Sequence, residues 1–340
     1  QVGTALSCNN TNQFADYSYQ LSDYSSITFD DNAFINSAIL YLSIGDFLPI
    51  CVHEDTNQVI SYAPPSFENP SVQGYDMIFQ AVEFAYNING LQTLNINTTN
   101  VDEVGISVQL YLEDASDTDS VGFITDRNHL INQFGSCQDT NFKHLILPSE
   151  NNADTLRILS PEHVNSGVIS NDSVVNYFTN FYTDYINDSW SFYNNKTITI
   201  YNSSTAYTGE LRNDTFFFNN GTSLSTPQYA FPKPSSNEVM SATGEFTQGS
   251  DDQKNIGKVL AAAIYRTVFM ETPVDTSDSW CGSAMVSKYF TNEPINYYST
   301  ILIPESIDNL VYSYAYSDVC KQSSSLASTT TEKVTIKIMD

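Results

Sequence analysis

Basic residues are scarce in this 340-residue chain: 13 Lys and Arg stand against 39 Asp and Glu, a formal charge of −26. Such a chain repels phosphate backbones and anionic lipid headgroups, which excludes nucleic acid and membrane surfaces as partners. Uncharged polar partners such as polysaccharides stay compatible. No apolar run reaches the roughly eighteen residues of a membrane-spanning helix, and the Gly-x-Ser-x-Gly elbow of serine nucleophiles is missing. Five cysteines, Cys8, Cys51, Cys137, Cys281 and Cys320, are too scattered for a zinc site, which wants closely paired ligands. The acidic run EDASDTDS, residues 113–120, lacks the glycine and terminal Glu spacing of an EF-hand loop and reads as a solvated turn. His53, His129, His144 and His163 show no spacing suited to metal or triad chemistry and read as structural or surface residues. Neither a metal nor a cofactor is expected.

The length allows one large or two ordinary domains, each with a sizeable core. The chain opens at Gln1 with neither a basic nor an apolar leader region, for which a cleaved signal peptide is the natural explanation. Asn-x-Ser/Thr sequons at Asn9, Asn97, Asn171, Asn187, Asn195, Asn202, Asn213 and Asn220 support secretion. The run of them from 171 to 222 predicts a glycan-covered face there. In a secreted protein the cysteines suggest two disulfides and one leftover thiol. Cys8 with Cys51 and Cys281 with Cys320 are the proposed pairs, although sequence alone does not fix connectivity.

The chain is organised around residues 81–112, AVEFAYNINGLQTLNINTTNVDEVGISVQLYL. In AVEFAYNI, Val82, Phe84, Tyr86 and Ile88 alternate with Glu83, Ala85 and Asn87, so a strand buries the first set and presents Glu83 and Asn87 on the other face. A second half-buried strand follows, with Val104, Ile106, Val108, Leu110 and Leu112 on one face. Asp102 shares their parity, so it reaches solvent only from a bend ahead of Gly105. Glu103 should point away from it. On spacing alone this is a hairpin carrying two solvated acids.

The wording of the stretch adds to that. VEFAYN followed by NTTNVDEVGISVQL resembles the motif pair of the laminaripentaose-producing β-1,3-glucanases of glycoside hydrolase family 64, which are related in fold to thaumatin-like proteins. LRILSPEH (156–163) resembles the family's Leu-Arg-x-Leu-Ser-Pro run, and FPKPSSNEVMSATGEF (231–246) its Phe-x-Lys-Pro-Ser-Thr segment. YFTNEPINYYSTILI and VYSYAYSDVC resemble its C-terminal motifs, in the same order, and the resemblance covers roughly residues 75–320. Departures exist: Ala85 stands where the family usually has Thr, and Tyr297 where it has His. The family's Ser-Cys-Asn-Ser-Gly-Pro-Phe segment reads Ser241-Ala242-Thr243-Gly244-Glu245-Phe246, which implies that Cys137 lacks its partner.

The resemblance implies a β-1,3-glucan substrate and a crescent-shaped molecule in which a β-sandwich lies beside an α/β domain, with a wide groove between acids. Glu83 would be the general acid and Asp102 the base of an inverting endo-glucanase acting on fungal-type wall glucan. Asn87 is a candidate to bind a glucose hydroxyl. Tyr75, Asp76 and Phe79 are candidates to border the groove, with ordinary packing as the competing account of the rings. The alternative function is a non-catalytic glucan-binding wall protein, adhesin or toxin on the same fold.

Elsewhere the patterns read coarsely. Residues 1–80 suggest antiparallel strands, 64–76 a loop, 122–137 a short helix and 144–148 a buried strand. Residues 171–190 read as one amphipathic helix with Val174, Phe178, Phe181 and Tyr185 on its apolar face, capped by Asn171 or Asp172. Two strands, 196–202 and 214–220, are expected around a Gly-containing turn, then a buried helix at 251–269. EKVTIKIMD supplies a last strand. The expected fold is mainly β with an α/β part: a thaumatin-like β-sandwich or barrel of residues 1–155, completed by 295–340, with 156–294 an inserted mixed α/β domain. A monomer is the default, from repulsion between like-charged copies.

Overall fold

The structure is a computed structural model and describes residues 18–23, 26–28, 33–54, 60–63, 66–86, 93–115, 117–150, 154–202, 205–221, 227–271 and 279–339. Two compact units emerge: residues 1–170, 305–308 and 324–340 form the first, and residues 171–304 and 309–323 the second.

In the first unit the chain runs through β1 (Ile35–Ile44), β2 (Cys51–Glu54), β3 (Ile60–Ala63), β4 (Ile78–Tyr86), β5 (Leu94–Asn97), β6 (Glu103–Val104), β7 (Val108–Asp114) and β8 (Thr118–Gly122). Helices α1 (Arg127–Gly135) and α2 (Thr140–Lys143) follow, then β9 (Ile146–Pro148) and β10 (Thr155–Leu159). The second unit holds α3 (Asp172–Thr179), α4 (Thr183–Phe192), β11 (Thr197–Asn202), β12 (Thr205–Arg212), β13 (Thr215–Asn219), β14 (Tyr229–Pro232), α5 (Ser236–Ser241), α6 (Asp251–Tyr265), α7 (Ser283–Val286) and α8 (Tyr297–Leu302). The chain then returns to the first unit with β15 (Ser325–Ser328) and β16 (Thr331–Ile338). The molecule is thus mainly β, with its helices collected between.

Every sheet is antiparallel, and two of them make the core of the first unit. One has the order β1-β4-β5-β15 and the other β16-β7-β8, so late strands close both. Alternation decides what each contributes. Val82, Leu94, Ile96 and Leu326 from the first sheet meet Val108, Leu110, Leu112 and Val121 from the second, with Leu40, Leu42, Val334, Ile336 and Ile338 packed at the margins. Each such side chain is worth about 1.5–3 kcal/mol on burial, so this layer fixes which face of β4 is left for chemistry.

Several expectations need correction. The first unit extends to residue 170 because β10 pairs with both β6 and β9, so the segment expected to open the α/β domain stays with the sheets. Residues 295–304 and 309–323 belong to the second unit instead of the first, and there Cys320 is bonded to Cys281. Strand β4 does not form a hairpin with residues 104–112; its partner is β5. The expected second strand breaks into β6 and β7, in different sheets. The single helix of 171–190 is two, separated where Asn180 closes α3 and buried Phe181 and Tyr182 intervene. The Gly-containing turn near 209 is a full strand, β12. Gly209 is there because a Cβ would come within 2.5 Å of the Phe218 ring on the paired strand.

The second unit is packed by aromatic rings. Trp190 lies 5.1 Å from Phe216, Tyr193 lies 4.8 Å from Phe269, and Tyr265 stacks on Tyr314 at 3.7 Å. The Cys281–Cys320 disulfide is the expected one, and Cys137 is buried and free. Cys51 is disulfide-bonded too, while Cys8 lies outside the described residues.

Candidate active site

Glu83 stands exposed on β4 between two paired strands, opposite Ile39 of β1 and Asn97 of β5, while Val82 beside it is fully buried. The Asn97 amide nitrogen donates to Glu83 Oε2 at 3.2 Å, and Asn97 Oδ1 accepts from the Thr99 backbone N–H at 2.8 Å. The backbone bond orients the amide so that its donor faces the acid. Around Glu83 lies a hollow of about 260 Å³, lined by uncharged polar groups that include Ser37, Asn95, Asn97 and Ser325.

Asp102 sits in the bend that parity required, and that bend is clamped by distant groups. Buried Gln80 of β4 donates to the Thr99 carbonyl at 3.1 Å and accepts from the Gly105 N–H at 2.9 Å. Arg127 donates to the Gly105 carbonyl at 2.6 Å and to the carbonyls of Thr155 and Leu156. The Ser160 N–H donates to the Asp102 carbonyl at 2.8 Å. Gly105 lies so close to β4 that a Cβ there would fall 1.8 Å from the Phe79 carbonyl oxygen. Only glycine lets the bend approach the strand that carries Glu83.

The Asp102 side chain, in turn, meets His163, from the 3-10 turn Pro161–His163 that follows β10. His163 Nε2 lies 2.9 Å from Asp102 Oδ1 and 2.9 Å from Glu162 Oε1, and Nδ1 lies 2.9 Å from Glu68 Oε2. Both ring nitrogens face acceptors, the arrangement of a doubly protonated imidazolium. Burial pulls its pKa down, but the hydrogen bonds to Asp102 and Glu162 and their charges outweigh this and carry it up to about 10. Burial pushes the Glu162 carboxyl up against the opposing pull of His163. Asp102, Glu162 and His163 offer three donor atoms within 4.8 Å of one another, a spacing a small cation would accept. Here the ring itself supplies the positive charge.

Tyr41 connects the two seats. It lies opposite Ala81, and therefore on the face of the sheet that carries Glu83, with its ring edge-on to Phe79 at 6.2 Å. Its phenol is pushed up to about 12, first by burial and then by the charges of Asp102, Glu103 and Glu83. Glu103 does point away, into the interior, where its Oε2 lies 3.1 Å from Arg157 Nε. Neither atom has hydrogen-bond geometry, so the pair is an ionic contact only. Burial pushes Glu103 up to about 7 despite the Arg157 charge.

Other candidates fall differently. Phe79 is 1% exposed and Tyr75 is buried; their rings sandwich the Arg157 guanidinium, 4.6 Å and 5.3 Å from their centroids. Packing is their role, and neither presents a face to a sugar. Asp76 accepts the Glu150 N–H at 2.9 Å, tying two loops together. Asn87 lies outside the described residues, as does Asn9. Of the sequons, Asn97 is engaged with Glu83 and Asn171 caps α3, while Asn187, Asn195, Asn213 and Asn220 are exposed. The side chain of Asn202 is not described. Sequence reasoning missed His163, Glu162, Glu68, Tyr41 and the Asn97–Glu83 bond. The acidic neighbour Glu162 in SPEH was the one visible signal for His163.

The family model for β-1,3-glucanases of glycoside hydrolase family 64 matches residues 7–338. No curated protein matches the chain. Among solved structures, a β-1,3-glucanase domain of this family from Clostridium beijerinckii is 26% identical, with a TM-score of 0.74 over 88% of this chain and 74% of that one. A laminaripentaose-producing β-1,3-glucanase in complex with laminaritetraose shares the fold at 20% identity and a TM-score of 0.73, over 88% and 77% of the two chains. A third, from Paenibacillus barengoltzii and complexed with laminarihexaose, shares it at 22% identity and 0.59, over 90% of this chain and 55% of that one. With nearly its whole length matched, the chain belongs to glycoside hydrolase family 64, the β-1,3-glucanases.

Proposed function

We propose that this glycoside hydrolase is a secreted endo-β-1,3-glucanase that inverts the anomeric centre, with Glu83 as general acid and Asp102 as general base. The observation that carries the reading is that Glu83 stands exposed on a paired strand whose Gln80 also anchors the Asp102 bend through the Gly105 N–H. Inversion needs an acid at the leaving oxygen and a base activating water on the opposite face of the sugar, with the carboxyls about 6.5–9.5 Å apart to admit that water. Gln80, which anchors the Asp102 bend, is three residues from Glu83, or about 10 Å along a strand. One oxygen of Asp102 is held by His163, and the other is left to accept a proton from water.

The relatives solved with laminaritetraose and laminarihexaose support a linear β-1,3-glucan substrate, and fungal-type wall glucan is the proposed source. Ser37, Asn95 and Ser325 offer sugar hydroxyls hydrogen-bond partners that the charge of −26 does not disturb. A disulfide and exposed sequons support secretion. The two facing sheets fit a thaumatin-like sandwich.

The test is oligosaccharide release from linear β-1,3-glucan by the purified chain beside Glu83→Gln and Asp102→Asn. Each variant should lose about three orders of magnitude in kcat while its melting curve is retained. A variant that keeps more than about a tenth of the activity loses its assigned role. Glucan binding without release by the wild type would make the face a recognition surface only.

A further inference from the structure

Asp102 is half exposed on a bend, a poor place to hold a catalytic carboxylate still. One group reaches it from outside its own loop. His163 lies 61 residues later in the chain, its side chain 18% exposed, with Nε2 2.9 Å from Asp102 Oδ1. The ring cannot turn away, because Nδ1 is engaged by Glu68 Oε2 from the loop before β4 and Phe67 packs edge-on against it at 4.6 Å. We infer that His163 is the positioning residue of Asp102: its imidazolium fixes one carboxylate oxygen so that the other faces the water to be activated. This rests on the assignment of Asp102 as the base.

The groups facing His163 are all acidic. Asp102 comes from the bend, Glu162 from its own turn and Glu68 from the preceding loop, with Glu103 of β6 within charge range. Glu103 is matched by Arg157, and the hydrogen bonds and charges of Asp102 and Glu162 keep the ring charged. The sign of the linkage follows from a histidine pKa raised from 6.5 to about 10. The stability contributed by these contacts is fully present below pH 6.5 and is lost as pH rises through about 10.

The experiment compares pH profiles of kcat and KM on linear β-1,3-glucan for the wild type, His163→Gln, His163→Ala, Glu68→Gln and Asp102→Asn. His163→Gln keeps a donor and loses the charge. Its kcat should fall about 10- to 100-fold with KM within about two-fold, since a misplaced base costs rate more than binding. His163→Ala should be worse than His163→Gln.

Glu68→Gln leaves the Asp102 contact in place, and should only bring the titration of the His163 imidazole, followed by NMR, to lower pH. It keeps the inference testable if the His163 variants fail to fold. Wild-type kcat in folded His163→Gln would overturn the inference, as would an unmoved His163 imidazole titration in Glu68→Gln. If Asp102→Asn is inactive in that case, only the positioning role fails; if Asp102→Asn is itself active, the base assignment fails with it.

Discussion

Glu83 is held by a regular strand, with paired neighbours on either side that set where it points, whereas Asp102 rides on a bend whose shape is dictated by Gln80, Arg127, Ser160 and His163. A strand position is robust, because moving one side chain means breaking a ladder of backbone bonds. A clamped bend is fragile, because each clamp acts alone. The two carboxylates proposed as acid and base are thus secured by opposite means, and the protein should tolerate damage at one seat better than at the other.

The largest difference should come from Gly105→Ala. Its new Cβ would sit 1.8 Å from the Phe79 carbonyl oxygen, so the bend has to lift off β4. Overpacking of this kind costs about 1–3 kcal/mol, readable in a urea melt. Displacing Asp102 by about 1 Å should also lower kcat about 100-fold. A Gly105→Ala variant with wild-type rate would show that the bend is not held by its approach to β4.

A much smaller effect is expected at the other seat. Asn97→Ala removes the 3.2 Å donor to Glu83 but leaves the strand register intact. A net hydrogen bond of about 1 kcal/mol converts to about a five-fold change in kcat/KM. A loss beyond about 100-fold would mean that the amide, and not the strand, places the acid. Comparing the two variants on one substrate measures the asymmetry directly.

The same contrast governs what could be read without the structure. Alternation in VEFAY is a local signal, and it placed Glu83 on the open face and Val82 in the core. Parity also put Asp102 in a bend and turned Glu103 away from it, but gave no sign that Glu103 would be buried against Arg157. Whatever depended on distant partners was invisible. Gly105 read as an ordinary position in the second strand, although its reason is a close approach to Phe79. Gly209 read as a turn, although it makes room for Phe218 in the middle of a sheet. Tyr75 and Phe79 read as groove aromatics because nothing local revealed that Arg157 would lie between their rings.

His163 is the clearest case. Its neighbours Pro161 and Glu162 announce a short turn after a strand, but only the pairing of β10 with β6 brings that turn beside Asp102. Isolated from those pairings, it looked like any surface histidine. Antiparallel sheets assembled from distant strands hide such neighbours well.

The most direct test of the acid–base pair is the anomeric configuration of the first product, followed by NMR as linear β-1,3-glucan is cleaved and before mutarotation. Inversion by Glu83 and Asp102 predicts the α-anomer. A β-anomer would show a retaining reaction through a covalent intermediate and would contradict the assignment of Asp102 as the base.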